Sequence, residues 1–251
     1  NKFNGYTGPL VRYNEASAHH RIERCKLYDS HSHGVVGSVF NCQFVFNQIH
    51  TIGVSDVNAD AFNIGNPDRN VSHMLVGWND LRDGDGNMRH FCNIRDGTMF
   101  RVIGNEVGKI NNGNFVNAGN DQRCKFVIVE NNYAELNGDP NGGDKFADIG
   151  TNNEVKFVSL RNNFSYQYTE QGIDLQNVDK AVVVNNQMSS GQSNNASLRV
   201  RSGCNNVTLF NNHFPHGENI NIPVSRPDRI KIAENGDLIY DNPEGGSTNL
   251  N

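Results

Sequence analysis

The feature that most constrains this chain is a short apolar strand followed by Asn, often doubled, and then another apolar or aromatic residue. It reads Phe126-Val-Ile-Val-Glu-Asn131-Asn-Tyr133 and Phe157-Val-Ser-Leu-Arg-Asn162-Asn-Phe164. It recurs as Ala181-Val-Val-Val-Asn185-Asn186 and Val207-Thr-Leu-Phe-Asn211-Asn-His-Phe214. Weaker copies upstream mark Asn105, Asn79 and Asn47, and at Cys25 a cysteine takes the Asn place. The marked positions 25, 47, 79, 105, 131, 162, 185 and 211 differ by 22, 32, 26, 26, 31, 23 and 26. Such a period is too short for a propeller blade and lacks the leucine-rich pattern, but suits one coil of a parallel β-helix.

Asn belongs at such a bend for a physical reason. It tolerates the left-handed backbone of a sharp corner. Its amide can also donate to and accept from the equivalent Asn one coil away, at about 4.8 Å. Asn162 is therefore expected inside a buried amide ladder. The phasing of Asn to apolar strands excludes an Asn-rich disordered chain.

A second strand falls between successive corners: Ala61-Phe-Asn-Ile64, Phe91-Cys-Asn-Ile94, Phe146-Ala-Asp-Ile149, Gly172-Ile-Asp-Leu175 and Ser197-Leu-Arg-Val200. Alternation turns Phe62, Ile64, Cys92, Ile94, Ala147, Ile149, Ile173, Leu175, Leu198 and Val200 inward. Asn63, Asn93, Asp148, Asp174 and Arg199 then stack as a column on the outside. Residues 1–216 are expected to form the β-helix, with Ile220-Asn-Ile222 as a last short strand. Residues 217–241 would cap it with a hairpin turning at Asn235-Gly236, and 242–251 would be a loose tail.

Composition agrees. The 251 residues include 41 Asn and 25 Gly, Leu and Ala are scarce, and Val, Ile and Phe carry the apolar content, which disfavours a helical bundle. A formal charge of −5 with scattered Lys and Arg offers no field for nucleic acid. No apolar run is long enough for a membrane helix. The five Cys are widely spaced, with no CxxC pair, and read as small buried fillers. The start at Asn1, without Met or a signal peptide, suggests a mature, trimmed or partial chain.

The Asn-cornered coils, residues 22 to about 214, resemble the right-handed parallel β-helix superfamily of pectate lyases, polygalacturonases and phage tailspikes. The expected fold is thus all-β: a single-stranded right-handed parallel β-helix of about eight coils with an Asn ladder and a C-terminal β-hairpin cap. Two segments are similar to the alginate and chondroitin-B lyases of polysaccharide lyase family six. Asn141-Gly-Gly-Asp-Lys-Phe-Ala-Asp-Ile-Gly150-Thr151 is similar to the family's Asn-Gly-Gly-Glu and Ile-Gly-Thr elements. Ser197-Leu-Arg-Val-Arg201-Ser-Gly203 is similar to its Leu-x-Leu-Arg-His-Gly strand, which would put Arg201 at the family's catalytic Arg. The family's Glu-x-Glu calcium ligands and catalytic Lys align with Glu170-Gln-Gly-Ile-Asp174-Leu-Gln-Asn177, where Glu170 and Asp174 would stand in as Ca²⁺ ligands and Asn177 replaces the Lys. Lys180 lies on the following turn. Asn58-Ala-Asp60 faintly resembles the first polygalacturonase motif, but the others have no match.

Asp148, Asp174 and Arg199 fall on three consecutive coils, with Arg201 beside them. In a lyase the Arg side chains or Ca²⁺ would neutralise a uronate carboxylate while a base removes the C5 proton, Lys180 being the nearest lysine considered. In a glycosidase the two carboxylates would serve as acid and base or nucleophile. The same column reads equally as a surface of ordinary salt bridges. His90, Arg95, Tyr168 and Gln176 are candidate sugar contacts, and Asp83, Asp85 and Asn87 a candidate cation loop. His19-His20 and His31-Ser-His33 lack the partners of a zinc motif.

Two functions remain open. One is a secreted β-helix, monomeric, that binds and cleaves an acidic polysaccharide by β-elimination. The other is a non-catalytic β-helix, such as a trimeric phage or virus spike or an adhesin segment at a virion or cell surface.

Overall fold

The computed structural model describes the chain except residues 1, 4–6, 66–72, 83–87, 111–112, 120–123, 137–144, 191–196, 202, 214–219, 223–229, 235–236, 243–247 and 251; at 2–3, 14–17, 190 and from 220 onward it describes backbone alone. The expected loop Asp83–Asn87 and the Asn235-Gly236 turn lie outside the described residues.

The described chain is a parallel β-solenoid built on three sheets, with no helix. The first sheet has eight strands, from Lys2–Phe3 to Gln187–Ser190. The second has ten, from Val11–Ala18 to Thr248–Leu250, and the third has ten, from Arg21–Glu23 to the antiparallel pair Ile230–Glu234 and Asp237–Asn242. The regular stack winds through about six turns, fewer than the eight coils expected. At the C-terminal end Ile220–Ile222 continues the second sheet, and Thr248–Leu250 pairs antiparallel with it.

The corner is where the structure refines the reading of the repeat. The Asn ladder is Asn47, Asn79, Asn105, Asn132, Asn163, Asn186 and Asn212, so in each doubled pair the second Asn is the ladder residue. The first Asn of the pair, at 131, 162, 185 and 211, supplies the left-handed turn, with φ between 49° and 56°. Asn162 is exposed, which corrects its expected place in the ladder. The same turn falls on Arg24, Phe46, Trp78 and Gly104 in the earlier coils. Two tasks conflict in one residue: a backbone turning left-handed cannot also aim its side chain inward, so neighbouring residues divide them. Cys25 has no amide, yet its backbone N–H still donates to Asn47 Oδ1 at 3.0 Å, ending the ladder.

Inside, Phe62, Phe91, Phe115 and Phe146 run along the second sheet with ring centroids 5.4, 5.1 and 4.9 Å apart, the first pair edge-to-face and the other two stacked. All five cysteines are free and buried. Tyr168, expected on the sugar-facing surface, is instead fully buried, its hydroxyl 2.6 Å from Ser197 Oγ. The phenol belongs to the core, and its one polar atom finds a partner there.

Candidate functional site

The outward column forms as expected. Asn63, Asn93, Asn117, Asp148, Asp174 and Arg199 occupy one register position on successive strands of the second sheet. Alternation missed a bend three residues earlier. Asp60-Ala-Phe-Asn63, His90-Phe-Cys-Asn93 and Lys145-Phe-Ala-Asp148 each place two buried apolar residues between two polar ones. Both polar residues point out, because Asn63 Nδ2 donates to Asp60 Oδ2 at 2.8 Å and Lys145 Nζ to Asp148 Oδ2 at 3.1 Å. A second outer column runs beside the first, and the two face each other across the bend as a lateral trough. This trough explains why Asp174, although on the outer side, is only 2% exposed.

At the C-terminal end of the trough a charged network closes around Asp174. Arg199 Nη2 reaches Asp174 Oδ2 at 2.6 Å; Arg201 donates its Nε to Oδ1 at 2.9 Å and its Nη2 to Oδ2. Lys145 Nζ lies 3.1 Å from Asp174 Oδ2, 3.1 Å from Asp148 Oδ2 and 3.3 Å from Glu170 Oε2. Thr151 donates to the other oxygen of Asp148. Burial raises the proton affinity of Asp174 above the usual carboxylate value against the pull of Lys145 and Arg201. Burial also opposes the charge of Lys145, but Asp148 and Asp174 outweigh it and hold the ammonium above the ordinary lysine value. Three cations and three carboxylates thus pair within one network.

Lys145 is the residue that sequence reasoning passed over, although it sits inside the Asn141–Thr151 segment. Its ammonium stands among Asp148, Glu170 and Asp174, so the pair Glu170 and Asp174 does not fit Ca²⁺: a tethered cation already occupies the point between them. Among the described residues no three His, Cys, Asp or Glu side chains are placed to hold a metal ion. Gly150 of the Ile-Gly-Thr element has φ 79°, and a Cβ there would lie 1.7 Å from the Gln176 carbonyl oxygen, so its role is close coil stacking. Gln176 is half-buried just past the strand Ile173–Leu175 and takes no part in the network; Lys180 is exposed on the link into Ala181–Val184.

The N-terminal half of the trough is different. Here His33, Asn58, Asn63, Arg89, His90, Asn93, Arg95 and Asn117 line a cavity of about 380 Å³. Asp60, fully buried beneath it, accepts from Asn63, Asn93 and both Arg89 nitrogens, Nε and Nη2. His33 Nδ1 accepts the Asp60 backbone N–H at 2.8 Å, and His90 Nδ1 that of Asn114 at 2.9 Å. In each ring the proton of the neutral form is thereby assigned to Nε2. Burial lowers the pKa of both, that of His90 to about 4, so at neutral pH they are uncharged donors. The walls and floor then carry two guanidinium groups against one carboxylate. The sequence singled out His90 and Arg95, and the structure brings them together with Asn63, Asn93, His33 and Arg89. Beside this cavity, Asn114 Oδ1 is buried without a hydrogen-bond partner, one coil from Lys145.

No protein-family model matches the chain, and neither the curated proteins nor the solved structures hold a significant match to it. What is shown is a parallel β-solenoid with a ladder of stacked Asn side chains and a polar trough along one bent sheet.

Proposed function

We propose that the trough binds an acidic polysaccharide lying parallel to the solenoid axis. The observation that carries this is the about 380 Å³ cavity, in which Arg89, Arg95 and two neutral His donors meet a single buried carboxylate. Such a wall suits a uronate carboxylate flanked by hydroxyls, since the positive charge of the guanidinium groups attracts a carboxylate and amides take hydroxyls. The coil spacing of about 4.8 Å is close to the length of one pyranose unit, so successive sugars would meet equivalent positions on successive coils.

The reading favours binding over cleavage. β-Elimination needs a base, and the trough supplies few: Lys145 is held protonated, and the imidazoles present N–H rather than a lone pair. Arg201, in the place of the family's catalytic Arg, spends both Nε and Nη2 on Asp174. One observation keeps the lyase as the second reading. Glu170 is nearly half exposed beside Lys145, and so could meet a substrate.

Calorimetric titration of the chain with alginate, pectate and chondroitin sulfate, followed at 235 nm in the same mixtures, separates these readings. Binding that weakens with salt and is lost in Arg95→Ala, with flat absorbance, supports the proposal. Rising absorbance supports the lyase. No binding to any acidic glycan overturns both, and leaves the trough as a salt-bridged surface.

A further inference from the structure

A second concave surface lies away from the trough, on the outer side of the first sheet. Asp80, Leu81, Arg82, Glu106, Gly108, Lys109, Tyr133 and Glu135 line a cavity of about 650 Å³. Its architecture follows from the register. Asp80, Glu106, Tyr133 and Phe164 share one outward column, and Gly108, Glu135 and Tyr166 the next. Phe164 stacks flat on one face of Tyr133, centroids 5.4 Å apart with 6° between the planes. The other face of Tyr133 looks toward the coil of Glu106 and Gly108, where the stack of rings stops. The register neighbour there is Glu106, and beside it Gly108 carries no side chain: a Cβ there would meet nothing closer than the Leu81 carbonyl oxygen at 3.7 Å. Tyr133 stays 40% exposed.

We infer that this slot is a sugar-binding site for an uncharged pyranose, distinct in place and in charge preference from the trough. The ring would lie in the space left open beside Glu106 over Gly108, laying its C–H face against the free face of Tyr133. Aromatic faces take such apolar patches well, and the Tyr hydroxyl remains available at the rim. Glu106 and Glu135 flank the slot, and both act on the Tyr133 hydroxyl. Carboxylates accept two hydroxyl hydrogens at once, which suits a vicinal diol. The same carboxylates repel a uronate, so the site discriminates against the ligand class proposed for the trough. Arg82 is held on Asp80 at 2.8 Å, and Lys109, the other cation lining the slot, leaves two carboxylates facing one ammonium.

The test uses the intact chain and saturation-transfer difference NMR with cello-, manno-, malto- and xylohexaose, each against a hexauronate. The expected result is transfer to the ring C–H protons of at least one neutral hexaose, with a fitted Kd. Tyr133→Ala should weaken it at least ten-fold, Tyr133→Phe should largely restore it, and Arg95→Ala should leave it unchanged. Circular dichroism confirms that the exposed variants fold. Absence of transfer from all four neutral hexaoses overturns the site, as does unchanged binding in Tyr133→Ala or displacement by the hexauronate. None of these results bears on the trough, whose ligand is read with Arg95→Ala.

Discussion

Asn163 Oδ1 accepts two hydrogen bonds from Asn132, one from the backbone N–H at 3.1 Å and one from Nδ2 at 3.0 Å. Asn163 Nδ2 in turn donates to the Val129 carbonyl and to Asn186 Oδ1, both at 2.9 Å. Each ladder Asn thus ties two coils together while leaving no amide atom idle.

Removing that amide exposes the arrangement to measurement. Asn163→Leu strands the Asn132 N–H and the Val129 carbonyl, and should cost on the order of 3 kcal/mol. Asn162→Gly, one residue away, keeps the left-handed turn without a Cβ and should shift stability by well under 1 kcal/mol. Urea denaturation of the two variants checks the pair. Equal losses would mean that the two neighbours do not divide the work of corner and ladder.

Asp174 is the anion on which Lys145, Arg199 and Arg201 converge. Asp174→Ala leaves three cations without their shared partner and should destabilise the fold by about 3 kcal/mol, the low end for a broken buried pair because both Arg side chains are partly exposed. Adding Lys145→Met should deepen the loss, but by less than Lys145→Met costs in the parent chain, since Asp148 and Glu170 still lose their cation while the tie to Asp174 is already gone. A double-mutant cycle by denaturant titration reads this coupling directly.

His90 predicts a pH dependence of definite sign. Its folded pKa, lowered to about 4 by burial, lies below the unfolded value of 6.5, so the unfolded chain binds the extra proton between these values. The stability that neutral His90 allows is fully present above pH 6.5 and is lost as pH falls toward 4, by an amount on the order of 3 kcal/mol. His33, also lowered, adds in the same direction. Stability measured at pH 7.5 and 4.5 should differ less in His90→Gln than in the parent chain.

The cysteines offer a chemical check. Burial pushes the thiols of Cys124 and Cys204 up to about 12 and about 11, and raises those of Cys92 and Cys42 as well. With so little thiolate and no access, reaction with a disulfide reagent at pH 8 should be negligible over minutes in the native state. In 6 M guanidinium all five should react. Fast labelling of the native chain would show that its coils open locally.

The repeat of Asn and apolar strands was enough to determine the solenoid, the ladder and the outward column, because parallel stacking turns a sequence period directly into a spatial neighbour. The burial of the scattered cysteines was legible from the same repeat, although Cys25 takes a ladder position rather than an apolar one. The trough was not. Lys145, Asp60 and Arg89 join it through a bend with two inward residues, and strict alternation has no way to place such a bend. Tyr168 was misplaced because a phenol suits either a sugar or a core, and only its contact with Ser197 decides. The division between Asn162 and Asn163 was likewise beyond the sequence, where the two residues are identical. Tertiary structure assigned one the backbone turn and the other the buried amide, because a single residue cannot satisfy both geometries.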